Sequence, residues 1–175
     1  MPLCVDLDGT VIRTDLLWES LLKLVKRAPP YALVALFWWT RGRAYLKAQI
    51  ARRVEVDPVT LPYNEPLLEF LRAEKARNRE LYLVTASDEK LARGVAEHLK
   101  LFKELLASDG KTNLRGRNKA EFLVRRFGRR GFDYVGNSRV DLPVWAEARE
   151  ALVVGGPRLV ALAAERTGVS KVFAS

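Results

Sequence analysis

Short apolar runs separated by amphipathic helical patterns set the tightest limit on how this chain can fold. "LCVDL", "ELYLVTAS", "ELLAS", "FDYVGN" and "EALVVGG" each read as a strand. Between them, "DEKLARGVAEHL", "NKAEFLVRRFG" and the shorter "LPVWAEA" carry helical periodicity, and a last helix, "RLVALAAERTG", leads into "SKVFAS". Strands that are nearly continuous in apolar residues must be covered on both faces, and their alternation with helices makes them parallel. The expected class is therefore α/β, with a Rossmann-like parallel sheet. A chain of 175 residues, 49% of them apolar, fills one domain with a modest insertion and needs no covalent staple.

One interval breaks this rhythm. Some seventy residues between "DGT" and "ELYLVTAS" contain no convincing strand. Their last helix, "EPLLEFLRAEKARNR", is placed to be the crossover into the second strand. Residues 14–62 remain as a helical insertion, broken at Pro29, Pro30, Pro58 and Pro62. The expected organisation is an α/β core made of residues 1–13 and 63–175, carrying a small helical cap made of residues 14–62.

In open α/β sheets, chemistry collects beyond the carboxyl ends of the strands. The first strand ends in Asp6, Asp8, Gly9 and Thr10, the acids spaced i, i+2 on one side of the pleat. The second ends in Thr85, Ala86 and Ser87, with Asp88 placed as a helix N-cap. Lys119 opens the helix of "GRNKAEF", and "FDYVGN" runs into Asn137, Ser138 and Asp141. Two carboxylates at the end of a core strand need partners to be stable there. This set suits phosphoryl transfer through an aspartyl phosphate. One carboxylate attacks phosphorus and the other shuttles a proton. Mg²⁺ accepts oxygen ligands, while hydroxyls, backbone N–H groups and a lysine hold the phosphoryl oxygens.

The segments "DLDGT", "VTAS", "NK" and "GNSRVD" occur in the order of the four motifs of the haloacid dehalogenase (HAD) superfamily, which this chain resembles along essentially its whole length. The insertion falls where that superfamily carries its C1-type cap, and a helical cap there is similar to that of phosphoserine phosphatases. The resemblance implies a Mg²⁺-dependent phosphomonoester hydrolase with Asp6 as nucleophile and Asp8 as general acid/base. It implies phosphate binding by Thr85, with Gly9, Thr10, Ala86 and Ser87 lining the substrate site. Lys119 would steady the nucleophile and the transferring group. The metal would be held by Asp6, the main-chain carbonyl of Asp8, and the loop of Asn137 and Asp141, with Asp141 acting through water or pairing with Lys119.

A narrower likeness rests on "VDLDGTVIRTDLLWESLL", "RGRAYLKAQIARRV", "LPYNEPLLEFLR" and "GFDYVGNSRVDLPVW". These look like the HAD domain that precedes a UbiA-type polyprenyl transferase in fused bacterial membrane proteins. That likeness implies a prenyl-linked or sugar-linked phosphate as substrate, a fused or associated membrane transferase as partner, and a cytoplasmic position at the inner face of a membrane. One departure stands out: Asn137 occupies a position where the superfamily's fourth motif usually has aspartate. An amide oxygen binds Mg²⁺ without bringing charge, which lowers affinity. The rival reading is accordingly a catalytically weak module that binds a phosphorylated ligand beside a membrane prenyltransferase.

Composition narrows the remaining choices. A single cysteine, Cys4, precludes an internal disulfide, fits a reducing compartment, and reads as a small buried hydrophobe. One cysteine and one histidine, His98, build no zinc cluster. His98 reads instead as a residue at a helix C-terminus, favourably placed on the dipole. The N-terminus shows no signal-peptide pattern, and the longest apolar run, residues 31–39, is too short to span a bilayer. The net charge of +9 favours anionic partners. Residues 111–130 hold eight Lys and Arg against Glu121 alone, but no aromatic stacking pattern accompanies them, so nucleic acid is not the expected partner. In "ALVALFWWTRGRAYLK", the aromatics Phe37, Trp38, Trp39 and Tyr45 stand beside Arg41, Arg43 and Lys47. The expectation is that most of these rings form the cap's core, the alternative being an apolar face toward a lipid-like substrate or a membrane.

Overall fold

The computed structural model describes residues 1–42, 45–46, 49–50, 53, 56–108 and 113–174. Six parallel strands form one sheet in the order β3-β2-β1-β4-β5-β6. They are β1 (Leu3–Val5), β2 (Leu81–Asp88), β3 (Glu104–Ser108), β4 (Asp133–Gly136), β5 (Glu150–Val154) and β6 (Gly168–Phe173). The segment "SKVFAS" thus contributes an edge strand. The expected α/β class with a parallel sheet is the fold observed.

Alternation along each strand sorts the core into two layers. Leu3 and Val5 of β1, Leu81 and Leu83 of β2, and Leu152 and Val154 of β5 pack on one side. There they meet α3 (Glu65–Ala76) through Leu67, Leu68 and Leu71, and α4 (Glu89–Leu99) through Leu91, Ala92 and Val95. Cys4, Tyr82, Val84, Ala151 and Val153 face the other side. That layer holds α5 (Arg117–Phe127), α6 (Leu142–Glu147) and α7 (Pro157–Ala164), represented by Leu123, Trp145 and Ala163. Cys4 is fully buried, and burial pushes its thiol up to about 12, so it behaves as the apolar filler expected. His98 lies in the last turn of α4 and stacks on Tyr63, with ring centroids 6.0 Å apart.

Caps set the helix starts. Asp88 accepts from Lys90 N at the start of α4, and Asn64 accepts from Leu67 N at the start of α3. Asp133, fully buried at the first position of β4, sits at the sheet's amino edge. Arg149 donates to its two oxygens at 2.9 and 2.7 Å, and Arg79 bridges it to Glu74. Nothing local in the sequence marks this cluster, because its members come from three separate segments.

Between β1 and α3 the chain forms α1 (Leu16–Arg27) and α2 (Tyr31–Thr40). Leu17, Leu24, Ala35, Trp38, Leu46 and Ile50 make a small apolar cluster separate from the two sheet layers. Here the expectation for the aromatic run fails. Only Trp38 is buried, at 6% exposure, while Phe37, Trp39 and Tyr45 are 54%, 53% and 37% exposed. The reason is geometric. Ten consecutive apolar-rich residues wrap the whole circumference of α2, and α1 covers only the stripe of Ala35 and Trp38. Arg43 and Lys47 of this run lie outside the described residues, as does Lys111 of the basic stretch further on.

Candidate active site

The site is built on the loop that follows β1. The chain leaves the ladder sooner than the sequence suggests: β1 ends at Val5, and Asp6 N donates to Val135 O at 3.0 Å. Thr10 N and Ile12 N then both donate to Leu7 O, and Gly9 N donates to Thr14 O, folding residues 7–14 into a tight turn. Gly9 takes φ +74°, a left-handed conformation that disfavours any side chain. A Cβ there would also lie 2.0 Å from Asn137 Nδ2, so the β4 loop rests directly on the glycine.

Asp6 and Asp8 do not face each other. Asp6 is 8% exposed and turns toward α5, where Lys119 Nζ donates to its Oδ1 at 2.6 Å. Thr10 Oγ1 approaches its Oδ2 at 3.5 Å. Lys119 uses its remaining hydrogens on Val84 O at 3.2 Å and Tyr134 Oη at 2.9 Å. Burial pushes the Asp6 carboxyl up to about 7 against the downward pull of Lys119, with Asp141 and Asp8 adding to the rise. Burial alone would lower the Lys119 ammonium, but the carboxylates of Asp6, Asp141 and Asp8 outweigh it and hold the group above its ordinary value. The lysine therefore stays cationic beside the acid it neutralises.

Asp8 turns the other way, to the end of β2 and the start of α1. Ser87 Oγ and Thr85 Oγ1 donate to its Oδ2 at 2.6 and 3.2 Å, and Leu16 N donates to its Oδ1 at 2.9 Å. The start of α1 is thereby tied to the second carboxylate. Thr85, expected to hold phosphate, is fully buried, and its hydroxyl also accepts from Ser87 N at 2.9 Å. Ala86, between these two hydroxyl residues, is partly exposed.

The loop after β4 closes the third side. Asn137 N, Ser138 N and Ser138 Oγ all donate to Asp141 Oδ2, at 3.1, 3.1 and 3.3 Å. Tyr134 Oη donates to Asp141 Oδ1 at 3.0 Å. Asp141 thus shapes the loop and reaches Lys119 through the tyrosine hydroxyl, whereas the resemblance implied that it would act through water on a metal or pair with Lys119. Tyr134 itself was missed. It reads as an apolar member of "FDYVGN", and only the pairing of β1 with β4 brings its hydroxyl between Lys119 and Asp141.

The oxygens gathered here are those of Asp6, Asp8, the backbone of the turn and the Asn137 amide. Among the described residues, no group of three or more His, Cys, Asp or Glu could hold a metal ion. A Mg²⁺ site needs less, since that ion keeps several waters and takes one or two carboxylates plus substrate phosphate. Asp6, with Asn137 packed on Gly9 beside it, fits that requirement, and the all-oxygen donor set matches a hard cation.

Comparison with known proteins agrees with this geometry. Residues 3–145 match the family model described as haloacid dehalogenase-like hydrolase. A curated relative, "Uncharacterized protein y4nM" of Sinorhizobium fredii, is 39% identical over 155 residues, and the match spans 89% of this chain and 30% of the relative. The chain thus corresponds to under a third of that protein's length. Among solved structures, a Bordetella pertussis protein of unknown function superposes with a TM-score of 0.70 at 16% identity, covering 98% of this chain and 97% of the other. A substrate-bound phosphoserine phosphatase superposes at 0.63 with 14% identity, covering 98% and 92%. A phospho-aspartyl intermediate analogue of phosphoserine phosphatase gives 0.58 at 12%, covering 98% and 91%. The family match takes in all four polar clusters of the site, and the chain belongs to the haloacid dehalogenase-like hydrolases.

Proposed function

We propose that the protein is a Mg²⁺-dependent phosphatase that works through a phosphorylated Asp6. The observation that carries this reading is the buried ion pair of Asp6 and Lys119 two residues away from a second, separately held acid, Asp8. An Asp6 carboxylate oxygen attacks phosphorus and the ester P–O bond breaks. The proton that the departing alkoxide needs comes from Asp8, which later takes one from the water that hydrolyses the acyl phosphate. Hydroxyls of Thr85 and Ser87 and the Leu16 N–H hold Asp8 in place for both proton transfers. Lys119 offsets charge at the nucleophile, and N–H groups of the 7–14 turn are available to phosphoryl oxygens. Asp6, the Asp8 carbonyl and Asn137 would hold Mg²⁺, which would supply Lewis-acid neutralisation of phosphate charge.

The segment between β1 and α3 acts in this reading as a C1-type cap that shields the ester. A prenyl-linked or sugar-linked phosphate is the proposed substrate class, with a UbiA-type transferase as the proposed partner. What supports the pairing is the sequence likeness, together with apolar surface on the cap. The test is release of phosphate from an activated aryl phosphate in the presence of Mg²⁺. Wild type turns over, chelation stops it, and Asp6→Asn abolishes it while leaving the circular dichroism spectrum intact. Turnover retained in the Asp6→Asn variant removes the nucleophile from its role.

A further inference from the structure

We propose that the helical segment between β1 and α3 is a docking surface for an anionic lipid bilayer, lying on the membrane interface with α2 as the inserted element. This inference is independent of the catalytic reading. It starts from apolar residues the fold leaves uncovered. Eight of the eleven exposed large apolar residues described fall between positions 18 and 45. On α1 they include Trp18 and Leu22, one turn apart. On α2, Leu33 and Leu36 are 76% and 65% exposed, and with Phe37 they form the face opposite the buried Ala35 and Trp38. A helix apolar on all sides belongs in a core or in lipid, and no further layer of the described protein covers this one. Ten residues reach about 15 Å, which is half of a bilayer's hydrocarbon thickness. Among the described residues no helix is long and apolar enough to cross a membrane, so α2 would lie in the interface.

Charge identifies the lipid. Residues 20–54 contain eight Lys and Arg and no Asp or Glu, while the rest of the chain holds twenty-two against twenty-one. This stretch, which contains all of α2 and is flanked by Glu19 and Glu55, is thus the most cationic part of the segment. Lys26 and Arg27 close α1 at its exposed end. Arg41, just past α2, lies over the rings of Phe37 and Tyr45 at 5.1 and 5.8 Å. An apolar stem ending in a guanidinium at the rim of an aromatic patch suits a bilayer's headgroup boundary, where Trp and Tyr rings also partition. A protein partner would match the apolar face, but the complete lack of acids over thirty-five residues selects an acidic surface.

Co-sedimentation with large vesicles tests the proposal. Wild type is expected to bind equimolar phosphatidylglycerol/phosphatidylcholine vesicles, to bind pure phosphatidylcholine far less, and to be released by salt. Leu36→Glu/Phe37→Glu should weaken binding by about tenfold or more, since two exposed apolar anchors are lost, with thermal melting unchanged. Lys26→Gln/Arg41→Gln should weaken it by about fivefold per charge removed on anionic vesicles only. Absence of wild-type binding to anionic vesicles at low salt overturns the proposal, as does equal binding by the Leu36→Glu/Phe37→Glu variant. Sedimentation velocity provides the other arm. A dimer that forms without lipid and is lost in that variant assigns the face to a second copy of the chain and overturns the lipid assignment.

Discussion

Removing the Lys119 ammonium is the most searching perturbation of the buried site. In Lys119→Met the apolar stem is kept, but Asp6 loses its 2.6 Å partner while remaining buried, and Tyr134 Oη and Val84 O each lose a donor. Breaking a buried pair by deleting one member costs about 3–5 kcal/mol of stability, because the survivor is an uncompensated charge. The penalty has a defined pH dependence. An adjacent cation holds a carboxyl down by about 1–3 pH units, so the substitution lifts Asp6 by that much from its wild-type value of about 7. A carboxyl raised in the folded state destabilises it at high pH, and protonation relieves the destabilisation as pH falls through the folded value. The deficit relative to wild type should therefore grow as pH rises from about 5.5 and become full only above the lifted value, at about pH 8–10, the total change being about 1.4–4 kcal/mol. Urea unfolding in chelator, at several pH values across that range, measures it. In the Asp6→Asn/Lys119→Met double variant the charge is gone, and the deficit should shrink and lose its pH dependence. A pH-independent deficit in Lys119→Met, unchanged by adding Asp6→Asn, would refute the ion-pair reasoning and leave lost packing as the explanation.

Three further outcomes follow from the geometry. Tyr134→Phe leaves Asp141 Oδ1 without its buried donor and should lower stability by about 1–3 kcal/mol in urea unfolding, with a smaller loss in a Tyr134→Phe/Asp141→Asn background. Gly9→Ala forces a side chain into φ +74° and against the Asn137 amide; about 1–2 kcal/mol of stability should go, and phosphatase turnover should fall by more than that strain accounts for, because the amide must move. Hydrogen bonds from Arg79 hold the Glu74 carboxyl below its ordinary range against the upward push of burial. Its contribution is thus complete above the ordinary value and fades as pH falls through the folded one, so wild type and Glu74→Gln should differ at neutral pH and converge in urea midpoints as pH falls below the ordinary carboxylate range.

How the sequence relates to this architecture is clearest at particular residues. Asp88 acts as the cap that its neighbours predict, since capping is decided within three or four residues. The turn at "DGT" is equally local, as only glycine sits comfortably at its left-handed position. Apolar runs on β1, β2 and β5 announce a sheet covered on both faces, and the structure fills both. Asp6 and Lys119 were expected in one site because their chemistry is complementary, though they lie 113 residues apart.

By itself, the sequence determined the alternating elements, their parallel class and the acids, hydroxyls and lysine gathered at one rim, because periodicity and strand-end chemistry are written over short spans. Only the tertiary structure decided that Asp6 and Asp8 diverge, that Asp141 saturates itself on its own loop, and that Tyr134 links it to Lys119. It alone decided that Trp38 is buried while Trp39 stands in solvent, and that Asp133 gathers Arg79 and Arg149. The physical reason is common to all of these: which partner a polar or aromatic side chain meets depends on strand order and on what other layer exists to cover it, and neither is encoded within one segment's own pattern.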